Sequence, residues 1–542
     1  MTNLFRAAAT LQTRLGTLGL ILLAELTVIS VWVDNGSLTA GGPWIEMLAR
    51  WGASGARFAV ALALFWIVFG QARAPVIFRD TEEFLASGIR APWLTAHAVL
   101  LAVFCWFTHL LYNRPALEEA AALWALSGVG VVVSAALIFL PPAAWRLLGT
   151  RTADIWGFGL VAAGGAVALS ASARSLWGPF SGATFQVSAW LLSWVAPVIH
   201  SDPGRRILGT DRFQVRIAPE CSGFEGMALI LVFGGAWLWF FRSEYRFPRA
   251  LLLIPAALVA IWLLNAMRIA SLIWLGHAGW EAVAAGGFHS QAGWIAFVLV
   301  SLGLCWASRR WRWVTADADR SVGPRPQTPS VGDWTAPWLL PLLAILGTGL
   351  VTRAASSNEF DLLYPLKVFA AGGAMWLFRN EYRRLKWRLS WAAPVAGVAA
   401  FALWMGLERL SPAPPNTAIR DGLAALGSPS AALWTAFRVV GASLTVPFAE
   451  ELAFRGFLLR RLASPTFIRV DPRQFRALAW LGSSLAFGLL HGDRWLPGTL
   501  AGLIYAAAYA RRASFGDAVA AHGITNALLA AWVLATGETQ LW

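Results

Sequence analysis

The chain has 542 residues, of which 58% are hydrophobic and only 13% are charged. Because a bilayer core needs about 20 apolar residues per helix and such runs recur throughout, this composition excludes a soluble protein and predicts an integral membrane protein. The net charge of +14 comes from basic residues in short loops between apolar runs, as the positive-inside rule for membrane proteins predicts. We therefore expect the chain to contact a lipid bilayer and not nucleic acid.

The apolar runs predict an all-α, polytopic protein of roughly fifteen transmembrane helices in two helical-bundle domains. The expected upstream spans are 15–33, 58–72, 94–112, 120–140, 156–172, 224–241, 250–268 and 289–307. The expected downstream spans are 336–352, 363–378, 391–408, 433–459, 477–491, 495–510 and 515–535. A polar stretch rich in Pro, Gly and Ser predicts a cytoplasmic linker at 311–335, between domains at 1–310 and 336–542.

Basic clusters predict the orientation of the chain in the membrane. Arg242–Arg249 and Arg309–Arg312 are expected in the cytoplasm. Phe185–Ile199 is long enough to suggest a span, but a full span there would reverse this orientation. We therefore expect that segment to be interfacial or re-entrant, which leaves Arg205 and Arg206 on the outer side.

The first group of polar residues in the apolar background comprises Cys221, Arg268 and His289. With Arg242–Arg249 inside, one helix begins after Cys221, the next ends at Arg268, and the one leading to Arg309 starts at His289. At 1.5 Å rise per residue, helices of roughly 20 residues bring all three to the outer membrane level. A thiolate nucleophile, an arginine that stabilises an oxyanion and a histidine that moves a proton suit acyl transfer.

These residues resemble the exosortases, which are multi-span bacterial enzymes proposed to act as sortase-like transpeptidases. The resemblance lies in the motifs Pro219–Gly223, Asn265–Arg268 and His289–Gly293, and it covers roughly residues 1–310. It implies catalytic roles for Cys221, Arg268 and His289. It also implies, as partners, exported protein substrates that carry a C-terminal motif, a transmembrane helix and a basic tail.

The second polar group lies downstream and consists of six residues. They are Glu450, Glu451, Arg455, His491, His522 and Asn526. Glu451 and Arg455 share a helix face at i,i+4, as do His522 and Asn526. Counted from the basic loops at helical rise, Glu450 and His522 lie about 15 Å into the membrane and His491 about 22 Å.

Buried carboxylate and imidazole groups suit the hydrolysis of a peptide by water, with a Glu as general base and His and Asn donors at the oxyanion. A second interpretation is a divalent metal at Glu450, His491 and His522, because Glu and His are common zinc ligands. The spacing lacks the His-x-x-x-His pattern of zinc proteases. We therefore expect no metal and no other cofactor.

This second group resembles the CPBP family, which includes the CAAX prenyl endopeptidases. The resemblance lies in Glu-Glu-x-x-x-Arg at Glu450–Arg455, Phe-x-x-x-His at Phe487–His491 and His-x-x-x-Asn at His522–Asn526. It implies that Glu450 and His491 activate water, that His522 and Asn526 line the oxyanion site, and that Glu451 and Arg455 support the first Glu. The sequence leaves open which Glu is the base.

The whole chain is similar to the fused exosortase E/protease type, associated with targets bearing a Val-Pro-Glu-Ile-Asp signal. We therefore expect a bifunctional peptidase in the bacterial inner membrane. Two alternatives stay open: a protein in which only one half is catalytic, and a membrane transporter. The lack of internal repeats disfavours transport.

Overall fold

The computed structural model describes most of the chain downstream of residue 90. The described ranges are 91–113, 118–196, 199–217, 223–316, 335–357, 360–410, 417–464, 466–474 and 476–542, with the single positions 21, 25, 58, 62 and 84. The predicted spans at 15–33 and 58–72 lie outside the described residues apart from isolated positions. Cys221 and most of the predicted linker, residues 317–334, also lie outside them.

Helices make up most of the described chain. The upstream helices are α1 (Ala91–Asn113), α2 (Glu118–Phe139), α3 (Pro142–Arg151), α4 (Ala153–Ser193), α5 (Phe224–Phe240), α6 (Leu253–His277), α7 (Glu281–Val283) and α8 (His289–Arg310). The next are α9 (Ala336–Ala354), α10 (Pro365–Leu377), α11 (Arg379–Tyr382), α12 (Ala392–Leu410), α13 (Ala418–Leu426), α14 (Ser428–Val440), α15 (Val446–Glu451) and α16 (Leu459–Ala463). The last are α17 (Ala477–Leu489), α18 (Trp495–Arg512) and α19 (Phe515–Thr536).

Within the described residues, eight helical stretches are long and apolar enough to cross a membrane, by length and composition. They are Pro92–Leu111, Ala120–Phe139, Arg249–His277, Glu281–Arg310, Ala336–Ala354, Ala392–Leu410, Ser428–Ala463 and Phe515–Thr536. Their side chains carry the apolar surface that a bilayer requires. The predicted fold class, an all-α polytopic membrane protein, is confirmed.

Two helices differ from the expected spans. Helix α4 runs without interruption for 41 residues, so it continues past the expected span at 156–172 and into Phe185–Ile199. The interfacial or re-entrant placement of Phe185–Ile199 stays a prediction. Helix α6 does not end at Arg268 but continues to His277. Ile269, Ala270 and Ser271 continue the helix without any stop signal, so Arg268 lies inside it.

A small antiparallel sheet follows α4 and was not expected. Strands β1 (His200–Asp202), β2 (Ile207–Gly209) and β3 (Gln214–Arg216) lie in the order β1-β2-β3. Each strand has only three residues, too few for an alternating apolar pattern to emerge from the sequence.

One compact unit comprises residues 1–171, 386–413 and 454–521. The carboxylate of Asp517 accepts hydrogen bonds from the Ser390 main-chain N–H (2.7 Å) and hydroxyl (2.8 Å). Arg494 forms a two-pronged ion pair with Glu408, with both N···O distances 2.9 Å. These polar bonds tie segments distant in sequence, at positions where both partners are largely shielded from solvent.

The other compact unit comprises residues 172–385, 414–453 and 522–542. Its central core joins α5, α6 and α8 through buried Ile230, Ile261, Val300 and Leu304. A second core packs the sheet against α4 and α6. Both units contain segments from either side of residues 311–335, and the predicted division at that linker stays a prediction.

Candidate active sites

A cavity of about 410 Å³ opens between α5, α6 and α8, within the second compact unit. Arg268 of α6 and His289 of α8 both line it, so the structure brings these two sequence-predicted residues together. Other polar or small lining residues include Gly223, Glu225, Asn265, Ser290 and Gly293. The cavity is large enough to admit a peptide side chain and its main chain.

Asn265 holds Arg268 from the preceding helical turn. The Arg268 Nη1 donates a hydrogen bond to Asn265 Oδ1 at 3.3 Å, and Asn265 itself is only 7% exposed. A guanidinium has five N–H donors in a planar fork, so it can bind Asn265 and a developing oxyanion at once. Asn265 therefore sets the direction in which Arg268 presents its charge.

Gly223 brings the chain into this cavity just after the cysteine position. It precedes the first residue of α5 with a left-handed backbone, φ 84°, and a Cβ there would lie 2.9 Å from Asn265 Nδ2. Glycine is the residue that accepts both the conformation and the close approach. Cys221 lies outside the described residues, two positions before Gly223.

His289 is the first residue of α8 and is exposed at the cavity. The five-residue π-helical turn Ala284–Phe288 precedes it. Within this turn the Gly287 N–H donates to the carbonyl oxygen of Ser356, at 3.1 Å, so the turn is anchored to the residues after α9. A π-helical turn costs regular hydrogen bonding and is common beside functional groups.

Two cavity residues had no assigned role in the sequence. Asn265 lies three residues before Arg268 on the same helix face, and Glu225 lies four after Cys221. A polar residue at i−3 from an arginine in an apolar helix is a signal that sequence reasoning can use.

The second cluster of polar residues is buried in the same unit. His522 Nδ1 lies 3.1 Å from Glu451 Oε1, and its Nε2 lies 3.8 Å from Glu450 Oε2. Glu450, Glu451 and His522 are 8%, 0% and 2% exposed. An imidazole beside two carboxyl groups can form hydrogen bonds with them, and hydrogen bonding is what makes the burial of such polar groups tolerable.

Local helix geometry presents these groups. The glutamates end α15, between π-helical turns at Gly441–Thr445 and Leu452–Leu458. Asn526 follows His522 by one helical turn on α19, and its Nδ2 donates to the Ala442 carbonyl oxygen at 2.8 Å. The structure therefore brings Glu450, Glu451, His522 and Asn526 to one region of this unit.

Arg455 and His491 belong to the first compact unit, where both contact Phe487. Arg455 is fully buried, donates from Nη2 to the Gly502 carbonyl oxygen at 2.8 Å, and stacks 4.4 Å from the Phe487 ring centroid. His491 Nδ1 lies 2.9 Å from the Phe487 carbonyl oxygen, so Nδ1 carries the proton and Nε2 is the basic nitrogen.

Across the described residues, no group of three or more His, Cys, Asp and Glu side chains has the arrangement of a metal site. The expected absence of a cofactor stays a prediction, as does the alternative metal at Glu450, His491 and His522.

Two family models match the chain, one on each side of the predicted linker. Transmembrane exosortase (Exosortase_EpsH) matches residues 51–306, and Type II CAAX prenyl endopeptidase Rce1-like matches residues 432–528. No curated protein and no solved structure matches the chain. The first match contains Arg268 and His289, and the second contains all six residues of the downstream group. Residues 51–306 are therefore similar to transmembrane exosortases and residues 432–528 to Rce1-like CAAX prenyl endopeptidases, and the presence of both families supports a fusion of membrane peptidases.

Proposed function

We propose that both regions are catalytic and that the chain is a bifunctional membrane peptidase. The upstream region acts as a cysteine peptidase or transpeptidase on C-terminal sorting signals of exported proteins. The observation that carries this proposal is the shared cavity of Arg268, His289 and Gly223, the last only two residues from Cys221.

In the upstream reaction the Cys221 thiolate attacks the carbonyl carbon of the scissile peptide bond. The oxygen takes up negative charge, which Arg268 stabilises while Asn265 holds the guanidinium. The C–N bond then breaks, and His289 donates the proton that the leaving amine needs. The product is a thioester on Cys221, which water or an acceptor amine resolves.

In the downstream reaction Glu450 removes a proton from water, and the resulting hydroxide attacks a peptide carbonyl carbon. The C–N bond then breaks, and Glu450 returns the proton to the leaving amine. Glu450 suits this role better than Glu451, because it is the less deeply buried of the two and Glu451 is bonded to His522. His491 shares the activation of water. His522 and Asn526 donate to the oxyanion, and Glu451 and Arg455 support the arrangement.

The substrates of the upstream site are exported proteins that carry a motif such as Val-Pro-Glu-Ile-Asp, then a transmembrane helix and a basic tail. The location is the bacterial inner membrane, with the Cys221 site facing the periplasm. This follows from the basic residues at Arg242–Arg249 and Arg309–Arg312, which favour the cytoplasm.

The test is mass spectrometry of the new C-terminus of a signal-bearing substrate co-expressed with the full chain. Wild type should yield one defined cleavage position, and Cys221→Ala should lower processing by several powers of ten, since a lost nucleophile removes the covalent path. A Cys305→Ala variant is the matched thiol control, because Cys305 is a free cysteine on α8 beyond the part of that helix that lines the cavity. Equal processing by wild type and Cys221→Ala would refute the cysteine mechanism.

A further inference from the structure

The three-stranded sheet lies between α4 and the cysteine segment and has no role in the chemistry above. Its register pairs Ile207 with Arg216 and Gly209 with Gln214. The strand order β1-β2-β3 makes β3 an edge strand of the described sheet. Within the described residues β3 pairs only with β2. An edge strand presents main-chain donors and acceptors to an incoming extended peptide.

The sheet is firmly attached to the helix that carries Arg268. Leu208 and Ile217, 0% and 2% exposed, pack with Ile269 and Ile273 of α6. Phe213 fits against Gly276 so closely that a Cβ at Gly276 would overlap its ring. Gly276 is eight residues from Arg268, or about 12 Å along the helix.

The same attachment is reinforced by a polar contact between the loop before β3 and the end of α6. His277 Nδ1 lies 3.1 Å from Thr210 Oγ1. The sheet is therefore a rigid platform beside the cavity, and β3 ends five residues before Cys221.

The charges on this platform are unbalanced. Residues 200–217 contain four arginines and two aspartates. Asp202 accepts from the Arg205 main-chain N–H at 3.0 Å, and Asp211 pairs with His200. Arg212 and Arg216 are exposed, and within the described residues neither guanidinium group forms a hydrogen bond or an ion pair.

We propose that β3 and its arginines form the docking surface for the sorting signal, with Arg212 and Arg216 binding carboxylate side chains next to the scissile bond. This deepens, and rests on, the cysteine peptidase function proposed above. Guanidinium groups bind carboxylates through two parallel N–H bonds, and an extended peptide can add to the open edge of β3. The signal would enter along β3 toward the cavity at Gly223.

Anionic lipid headgroups are the other ligand that exposed arginines attract. The edge strand favours a peptide, because a lipid headgroup makes no use of a row of main-chain donors and acceptors. The chain also continues from Arg216 directly into the cysteine segment, which suits a ligand that must reach the thiol.

The experiment measures binding of a fluorescent Val-Pro-Glu-Ile-Asp peptide to the full-length Cys221→Ala protein, in nanodiscs of phosphatidylcholine. We expect Arg216→Glu to weaken binding at least about tenfold, and Arg212→Glu to weaken it by a similar or smaller factor. Arg216→Gln should have an intermediate effect. Arg205→Glu is the matched control, since it makes the same charge change on an arginine already paired with Asp202.

Reversing the charge on the peptide provides the decisive arm. A peptide with Lys in place of Glu should bind Cys221→Ala weakly and should recover affinity on the protein that also carries Arg216→Glu. Equal binding by the Arg216, Arg212 and Arg205 variants would overturn the proposal. So would an effect that appears only with phosphatidylglycerol present and ignores the peptide charge, which would assign the arginines to lipid.

The binding arm is independent of turnover. If the peptide binds with the expected charge dependence but wild type cleaves no substrate, the cysteine peptidase function fails and the docking surface stands. If wild type cleaves and the arginine variants match the control, only the docking surface fails.

Discussion

The two polar sites in the second compact unit differ in how far their ionisable side chains are exposed to solvent. At the cavity, His289 is exposed and Arg268 is half-buried, beside about 410 Å³ of open space. At the downstream cluster, Glu451 and His522 are at most 2% exposed and contact each other at 3.1 Å. An open site has room for a peptide and for a second substrate that accepts the acyl group. A closed site has room for little more than a water molecule and the carbonyl group that the water attacks.

Because of this difference in burial, substitutions at the two sites should affect catalysis and folding stability differently. Removing a group from the open cavity exposes its neighbours to solvent and should alter catalysis more than folding. Removing a partner from the buried cluster leaves a charge without compensation in a medium of low dielectric constant. Substitutions at the two sites therefore test whether this contrast in burial is also a contrast in function.

The largest expected effect is on the downstream peptidase. Glu450→Gln keeps the shape of the side chain and removes the base, so hydrolysis of transmembrane peptides should fall by about 10²–10⁴-fold. The full chain carrying Cys221→Ala supplies the background for this assay, so that only downstream cleavage is measured. Glu538→Gln is the matched control, because Glu538 accepts a hydrogen bond from Trp532 that an amide oxygen can also accept.

A chelator arm separates the two interpretations of this site. Activity that survives Glu450→Gln, vanishes with chelator and returns with zinc would favour the metal over the general base. Loss in Glu450→Gln without any response to chelator supports the base.

A large effect on stability is expected in the first compact unit. Arg455→Ala removes a buried guanidinium, its bond to Gly502 and its stacking on Phe487, and should destabilise the protein by about 3–5 kcal/mol. Denaturant-induced unfolding of the wild-type and variant proteins in detergent measures this loss of stability. Arg473→Ala, which removes an exposed ion pair with Asp471, should leave the unfolding transition close to that of wild type. Similar losses in both variants would contradict a structural role for the buried arginine.

A smaller effect is expected at the open cavity. Asn265→Leu should lower kcat of signal cleavage by about 10-fold to 100-fold with little change in KM, because Arg268 loses the partner that orients it. Asn265→Asp keeps an acceptor for Arg268 and should retain more activity. If both variants cleave at the wild-type rate, Asn265 does not position Arg268.

Several features of the molecule could be predicted from the sequence because they depend on composition and short spacing. Long apolar runs determine that the chain is a helical membrane protein, since main-chain polar groups in lipid must bond within a helix. The spacing of Glu450, Glu451 and Arg455, and of His522 and Asn526, identified the downstream group. Ionisable residues in an apolar background are rare enough to identify candidates without a structure.

Tertiary structure alone decided how these groups meet. Helix α6 is apolar on both sides of Arg268 along the chain, so its sequence does not mark an end at that residue. The short strands near Arg216 depend on packing against Ile269 and Ile273, contacts between residues far apart in the chain. The placement of His522 beside two glutamates likewise depends on tertiary structure, because 71 residues separate His522 from Glu451 in the sequence.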